Sequence, residues 1–176
     1  EREIPWRHVV ISGWILDPDR KKMSKSQGNV VTPDHLLDQY SSDAVRYWAS
    51  RARLGVDTAY DEAVFNNGKR LTTKLFNATK FVAGLRHAEV ATATQAGHLG
   101  SVDASSLTLA QVSEPLDRGF LARLREVVGK AGDAFEAFEF ANALQEIEEF
   151  FWADFCDNYH ELVKPRAYAT ELTPGK

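Results

Sequence analysis

Val64, Gly68, Leu71, Leu75, Ala78 and Val82 follow one another at steps of four, three, four, three and four. Only a helix returns such positions to one side, because its 3.6-residue turn brings each of them back to the same stripe. An isolated helix gains little stability in water, so a stripe this long has to be buried against neighbours. Two later stretches repeat the pattern, one through Leu116, Phe120, Leu124, Val127, Val128 and Ala131, the other through Leu144, Ile147, Phe151, Phe155 and Leu162. Three long helices, antiparallel by their connections, are therefore expected to form a bundle. Gly68 costs its helix about 1 kcal/mol against alanine, which predicts a close helix–helix approach there.

The ends of these helices are written in the sequence as well. Asp61 opens the first, and Ser113 with Pro115 opens the second. The second is expected to run to about Ala134. Phe135 to Phe140 then forms a turn whose three Phe side chains (135, 138 and 140) pack the end of the bundle. The third is expected over about Ala141–Val163, with Glu146, Glu148 and Glu149 facing out, and to stop at Lys164-Pro165. A frayed tail follows to Lys176. Residues 86–113 contain the small-residue runs Ala91-Thr92-Ala93-Thr94 and Gly100-Ser101-Val102-Asp103 without periodicity, and read as a flexible loop.

The chain ahead of the bundle is of another kind. His8 to Leu16 is continuous, β-branched and aromatic, which predicts a buried strand, straight or bending at Gly13, with Trp14 in core packing ahead of the alternative that it borders an adenine or amino-acid pocket. Little else in the chain is available to cover such a strand, and the sequence enters it almost at once, so a piece of a longer protein is expected. Asp17-Pro18-Asp19-Arg20 is a turn. Thr32-Pro33 starts a helix over Pro33–Tyr40, and Ser41 or Ser42 with Asp43 starts the next. That second helix has an apolar face (Ala44, Val45, Tyr47, Trp48, Ala52) and a basic one (Arg46, Arg51, Arg53), with Gly55 as its C-cap. The domain boundary falls between Gly55 and Tyr60.

Between strand and helices lies Lys21-Lys22-Met23-Ser24-Lys25-Ser26-Gln27-Gly28-Asn29. Lysines supply mobile point charges, serines small hydroxyls, and Gly28 freedom of the backbone. The combination suits a loop closing over a polyanion such as a polyphosphate, whose charge in a phosphoryl-transfer transition state an ammonium stabilises. The charge distribution agrees. The formal net charge is −4, but residues 1–86 carry 14 Lys and Arg against 10 Asp and Glu, while residues 87–176 carry 7 against 15. A polyanion is thus expected to meet the first half, where Arg46, Lys69, Arg70 and Lys74 are the candidate contacts. The single cysteine, Cys156, leaves no internal disulfide, and no apolar run approaches a membrane span. A cytoplasmic protein is expected, and no metal-ligand spacing is present.

The string Lys22-Met23-Ser24-Lys25-Ser26, with Gly28-Asn29 and Pro33 behind it, resembles the KMSKS signature of the class I aminoacyl-tRNA synthetases in their large-aliphatic branch. Further segments in the same order are similar to the valyl-tRNA synthetase family: Gly13–Pro33, Ser42-Asp43-Ala44-Val45-Arg46, Gly68-Lys69-Arg70, Lys74-Leu75-Phe76-Asn77-Ala78 and Phe150-Phe151-Trp152-Ala153-Asp154. The resemblance implies a mainly α fold. Residues 1–56 would be the C-terminal remnant of a Rossmann-type catalytic domain, with the KMSKS loop and stem-contact helices. Residues 57–165 would be the antiparallel anticodon-binding bundle, and 166–176 a tail.

It also implies a ligase that consumes ATP, with Mg as its usual counter-ion, makes valyl-adenylate and passes valine to valine tRNA. Lys22 and Lys25 would carry catalytic charge, with Lys25 the first choice for ATP contact. Ser24 and Ser26 would shape the loop and Met23 anchor it. Isoleucyl or leucyl synthetases and a non-catalytic tRNA-binding helical module are the alternatives. Arg20 stands where a turn glycine is usual, Phe76 and Asn158 where tryptophans are, and Gly119 where a bulky residue is. The HIGH-type signature, the valine pocket and the editing domain are not in these residues, so the piece alone is expected to be inactive.

Overall fold

The computed structural model describes residues 4–90 and 112–168, with the side chains of 85–90 left aside. It is mostly helical, with one two-stranded parallel sheet. Its helices are α1 (Pro33–Tyr40), α2 (Ser42–Ser50), α3 (Glu62–Val90), α4 (Pro115–Glu136), α5 (Phe140–Glu149) and α6 (His160–Ala167); a π-helical segment, Phe150–Tyr159, joins the last two. The strands are β1 (Ile15–Leu16) and β2 (Thr58–Ala59). Two compact units result, one from Glu1–Lys74 with Gly132–Gln145, the other from Leu75–Ala131 with Glu146–Lys176. Of the loop expected over 86–113, residues 86–90 close α3 and residues 91–111 lie outside the described residues.

In the first unit, β1 and β2 pair with Ile15 opposite Thr58 and Leu16 opposite Ala59. The approach depends on Gly13, where a Cβ would sit 2.0 Å from the Val56 carbonyl oxygen. The rest of the apolar run is not strand. Val9, Val10, Ile11 and Trp14 are 67, 50, 70 and 64% exposed, so burial of this run and of Trp14 is not realised. Among the described residues, β2 supplies an edge partner and no second layer covers the run.

The core of this unit is aromatic. Phe65 is fully buried and stacks at 5.3 Å on Tyr40 and 5.4 Å on Trp48, with Tyr60 tilted at 5.5 Å. Leu36, Tyr40 and Ala44 are buried beside it. Phe65 lies off the expected stripe, on which Leu75 and Val82 are exposed. An aromatic with three aromatic partners outcompetes the neighbouring Val64 for the buried direction. Gly68 does sit at a close crossing, since a Cβ there would meet Tyr47 Cδ1 at 2.8 Å. Helix α1 has the expected bounds and α2 the expected start, although neither Thr32 nor Ser41 makes a side-chain cap, and Ala52 and Arg53, expected on the faces of α2, lie beyond its end. Gly55 is not the C-cap of α2, which ends five residues earlier; its N–H instead donates to the Ile11 carbonyl at 2.8 Å. Phe135, Phe138 and Phe140 touch one another at ring separations of 5.9 and 6.3 Å. They remain 51, 37 and 38% exposed, and Phe138 also meets the His8 ring at 5.2 Å.

In the second unit, Val127 and Ala131 of α4 are buried, and Phe120 is sandwiched by Tyr159 at 4.0 Å and Phe150 at 5.2 Å. Val128, Ile147 and Leu162, expected to face inward, are exposed. Adjacent residues on a helix point in different directions, so Val127 and Val128 cannot share one stripe. Leu162 is displaced by the π-helical segment, whose i→i+5 bonds break the 3.6-residue register. That pairing shows in the His160 N–H, which reaches the Phe155 carbonyl. The helix also does not stop at Pro165 but continues through it to Ala167, where the Tyr168 N–H caps Lys164. Glu146 and Glu148 are half-buried, and only Glu149 of the three faces fully out. Arg123 ties α4 to the π-helical segment through Asp154 at 2.9 Å and also meets Glu126 at 3.0 Å. These two carboxylates hold its guanidinium pKa above the ordinary value.

Candidate functional site: a clasped lysine loop

The loop after β1 is built on a buried carboxylate. Asp17 is only 6% exposed, although it stands in an otherwise polar turn. Its backbone N–H donates to the Lys21 carbonyl, and the Arg20 N–H donates to the Asp17 carbonyl, each at 2.9 Å. Arg20 takes a left-handed φ of 60° to close this turn, keeping the backbone shape of a glycine at that position. The Asp17 carboxylate accepts the Lys21 N–H at 2.7 Å and the Asn29 side-chain amide at 2.7 Å. The backbone N–H of Lys21, followed by the Asn29 amide, holds the carboxyl pKa below its ordinary value against the opposing effect of burial.

From there the chain passes through an antiparallel bridge between Leu16 and Lys22 into a single 3₁₀ turn over Lys25–Gln27. Gly28, with φ 67°, ends that turn in the left-handed region, its N–H donating to the Lys25 carbonyl at 3.2 Å. The reversal brings Asn29 back under the loop. There its side chain accepts the Ser24 N–H at 2.9 Å and donates to the Lys22 carbonyl at 3.2 Å. The Ser24 and Ser26 hydroxyls are 3.2 Å apart, and Met23 is half-buried.

Lys22 and Lys25 are both exposed. The Lys22 ammonium rests 4.5 Å from the centroid of the exposed Trp14 ring, a cation–π contact. The result is a short loop with a fixed backbone and outward ammonium groups, able to place positive charge against a polyanion. Five of the sequence candidates, Lys22 to Ser26, thus lie together in one loop.

The remaining candidates lie elsewhere in the same unit. Lys69, Arg70 and Lys74 are exposed on α3, and Arg46 is exposed on α2, where its guanidinium is 3.5 Å from Asp43. Arg46 is the sequence neighbour of Tyr47 and Lys69 that of Gly68, the two residues in contact where α2 and α3 cross. Arg51 joins the same place, donating to the Tyr47 hydroxyl at 2.8 Å. Sequence reasoning did not single out Asp17 as part of the site, placed Asn29 in the loop without a role, and favoured core packing for Trp14. The signal within reach was the Asp-Pro-Asp turn and the asparagine placed behind a left-handed glycine.

A model of the class I tRNA synthetases (I, L, M and V) matches residues 1–61, and a model of the anticodon-binding domain of tRNA ligase matches residues 117–173. A valine–tRNA ligase of Bifidobacterium longum subsp. infantis is 48% identical over 167 residues, covering 95% of this chain and 18% of that protein. One from Thermobifida fusca is 51% identical over 172 residues, covering 98% and 18%. The chain therefore spans about 18% of the length of these curated relatives. Among solved structures, the ternary complex of the Agrobacterium radiobacter K84 LeuRS with tRNA and LeuAMS matches with a TM-score of 0.65 at 18% identity. That match covers 88% of this chain and 18% of the other.

Proposed function

Because this chain belongs to the class I tRNA synthetases, with valine–tRNA ligases as its relatives over nearly its whole length, we propose that it is the ATP-lid and tRNA-docking segment of a valine–tRNA ligase. Residues 1–56 are then the end of a Rossmann-type catalytic domain, 57–165 an antiparallel anticodon-binding bundle, and 166–176 a tail. The enzyme condenses valine with ATP, forming an acyl–phosphate bond to the α-phosphorus as pyrophosphate leaves. It then transfers the valyl group to the terminal ribose of valine tRNA. The work takes place in the cytoplasm.

Lys22 and Lys25 contribute charge to the first step. As the α-phosphate is attacked, negative charge grows on the departing pyrophosphate, and an ammonium held beside it lowers the barrier. Lys25, which opens the 3₁₀ turn, is the first choice because it matches the second lysine of the family's motif. Magnesium accompanies ATP, and no residue here is assigned to it. Arg46, Lys69, Arg70 and Lys74 contact the tRNA backbone, where phosphate neutralisation gives affinity that falls with salt. The observation that carries the reading is the clasped loop with outward lysines, in a chain about half identical to valine–tRNA ligases.

The test is Lys25→Ala in the full-length enzyme, followed by valine-dependent exchange between ATP and pyrophosphate. Loss of an interaction made mainly in the transition state lowers kcat more than it raises the KM for ATP. A fall of about 100-fold in kcat is expected, on the scale of removing one preorganised donor from a developing charge. Unchanged turnover would sink the assignment.

A further inference from the structure

We propose that Asp17 and Asn29 are positioning residues for the loop lysines, closing a clasp between the two ends of the loop that sets where Lys22 and Lys25 present their charge. The inference rests on the proposed ATP-lid function and deepens it. Twelve residues separate the pair, and a 2.7 Å hydrogen bond joins them. Each is also tied to the loop backbone. Asp17 holds the Lys21 N–H, and Asn29 holds the Ser24 N–H and the Lys22 carbonyl. The main chain is thus gripped at three residues in a row of four, directly beside both lysines.

Neither residue offers charge to a substrate. Asp17 is buried, and its carboxylate is occupied by Lys21 and Asn29. Their effect has to pass through the lysines. A lysine stem is long and flexible, so an ammonium placed on a wandering backbone must be ordered during the reaction itself. A backbone fixed beforehand removes that requirement, the sense in which preorganisation lowers a barrier. Opening the clasp is therefore expected to slow the chemical step while leaving ATP binding nearly intact.

The chemistry of the pair supplies its own rescue. Asn29→Asp removes the donor to Asp17 and sets two carboxylates against each other. Asp17→Asn leaves two amide groups, and if Oδ1 keeps the Lys21 N–H, two donors meet. Exchanging the residues, Asp17→Asn with Asn29→Asp, restores one donor facing one acceptor and leaves an oxygen for the Ser24 N–H. Only the bond to the Lys22 carbonyl is lost. The recovery would show that the two residues act through the bond they share, and the split between kcat and the KM for ATP separates positioning of the lysines from a loss of folding.

The experiment uses the full-length enzyme with these three variants, reading ATP–pyrophosphate exchange and, separately, amide hydrogen exchange at Lys21 and Ser24. In each single variant kcat is expected to fall about 10- to 100-fold with the KM for ATP moving less than about 3-fold, the scale of a small misplacement of a catalytic group. The double variant is expected to regain most of the loss and the amide protection with it, as coupled neighbours do. Single variants with wild-type kcat, or a double variant no better than the worse single, overturn the clasp. A wild-type enzyme without valine-dependent exchange would instead overturn the proposed function. The amide protection would then still show whether the clasp holds the loop.

Discussion

Replacing Gly68 by alanine tests the crossing of α2 and α3 in a way that has a defined sign. A Cβ at this position would lie 2.8, 2.9 and 3.0 Å from Cδ1, Cβ and Cγ of Tyr47. Carbon atoms prefer separations of roughly 3.5–4.0 Å, so the shortfall is about 1 Å at several atoms together. Tyr47 is 7% exposed, and its hydroxyl accepts a hydrogen bond from Arg51 at 2.8 Å, so its ring is held at both ends. Relief therefore requires the helices to part, and such overpacking costs about 1–3 kcal/mol. Against this, alanine gains about 1 kcal/mol over glycine inside a helix. The net expectation is a destabilisation of about 0–2 kcal/mol. Gly129, inside α4, is the internal control, because among the described residues no atom outside its own stretch of helix lies within 4 Å of its would-be Cβ. There the helix term acts alone and stabilises by about 0.5–1 kcal/mol. Urea unfolding of the 176-residue chain, followed by far-ultraviolet circular dichroism, compares the two variants with the parent. Equal stabilisation by Gly68→Ala and Gly129→Ala would refute the reasoning, because it would mean that Tyr47 offers no resistance.

Two further outcomes concern the loop. Arg20 holds φ 60°, a conformation that costs an L-residue about 1–2 kcal/mol, partly offset by the greater unfolded-state freedom of glycine. Arg20→Gly is thus expected to stabilise by about 0.5–1 kcal/mol in the same unfolding assay, and a loss of stability would contradict it. The folded pKa of Asp17 is depressed by the Lys21 N–H and the Asn29 amide. Its contribution is therefore present above the unfolded carboxyl pKa, about 3.9, and is lost as pH falls through the still lower folded value. The Ser24 amide signal in an NMR titration should accordingly hold steady from neutral pH down to about pH 4. A transition between pH 5 and 7 would show that the carboxylate is not held as described.

Local signals proved dependable where one residue type has one physical reason to be present. Thr32-Pro33 and Ser41-Ser42-Asp43 marked the starts of α1 and α2, and Gly68 marked the crossing it makes possible. The stripe of α3 was a poorer guide to burial. Periodicity reports direction around an axis, whereas Phe65 is buried because Tyr40, Trp48 and Tyr60 meet it. The run from Val9 to Ile15 was read as core from composition, with little in the chain to cover it, and Val9, Val10, Ile11 and Ile15 are exposed among the described residues. The π-helical segment was invisible for a related reason, since Phe151, Phe155 and Tyr159 at steps of four suit an α-helix equally well. In the loop, the lysines and serines announced themselves by type. The clasp did not, because Asp17 and Asn29 each have an ordinary turn role and their bond spans twelve residues.

Each compact unit is assembled from two separated stretches of chain, Glu1–Lys74 awaiting Gly132–Gln145 in one case. On a ribosome this imposes a schedule. At about 5–20 residues per second, the interval between the emergence of Lys74 and that of Gln145 is on the order of 4–14 s. The stacking of Phe65 on Tyr40, Trp48 and Tyr60 lies wholly within the first stretch and can form during the wait. The ring contact of His8 with Phe138 and the hydrogen bond from Arg53 to Asn142 cannot. The nascent chain thus spends seconds with a finished aromatic centre and an unfinished margin.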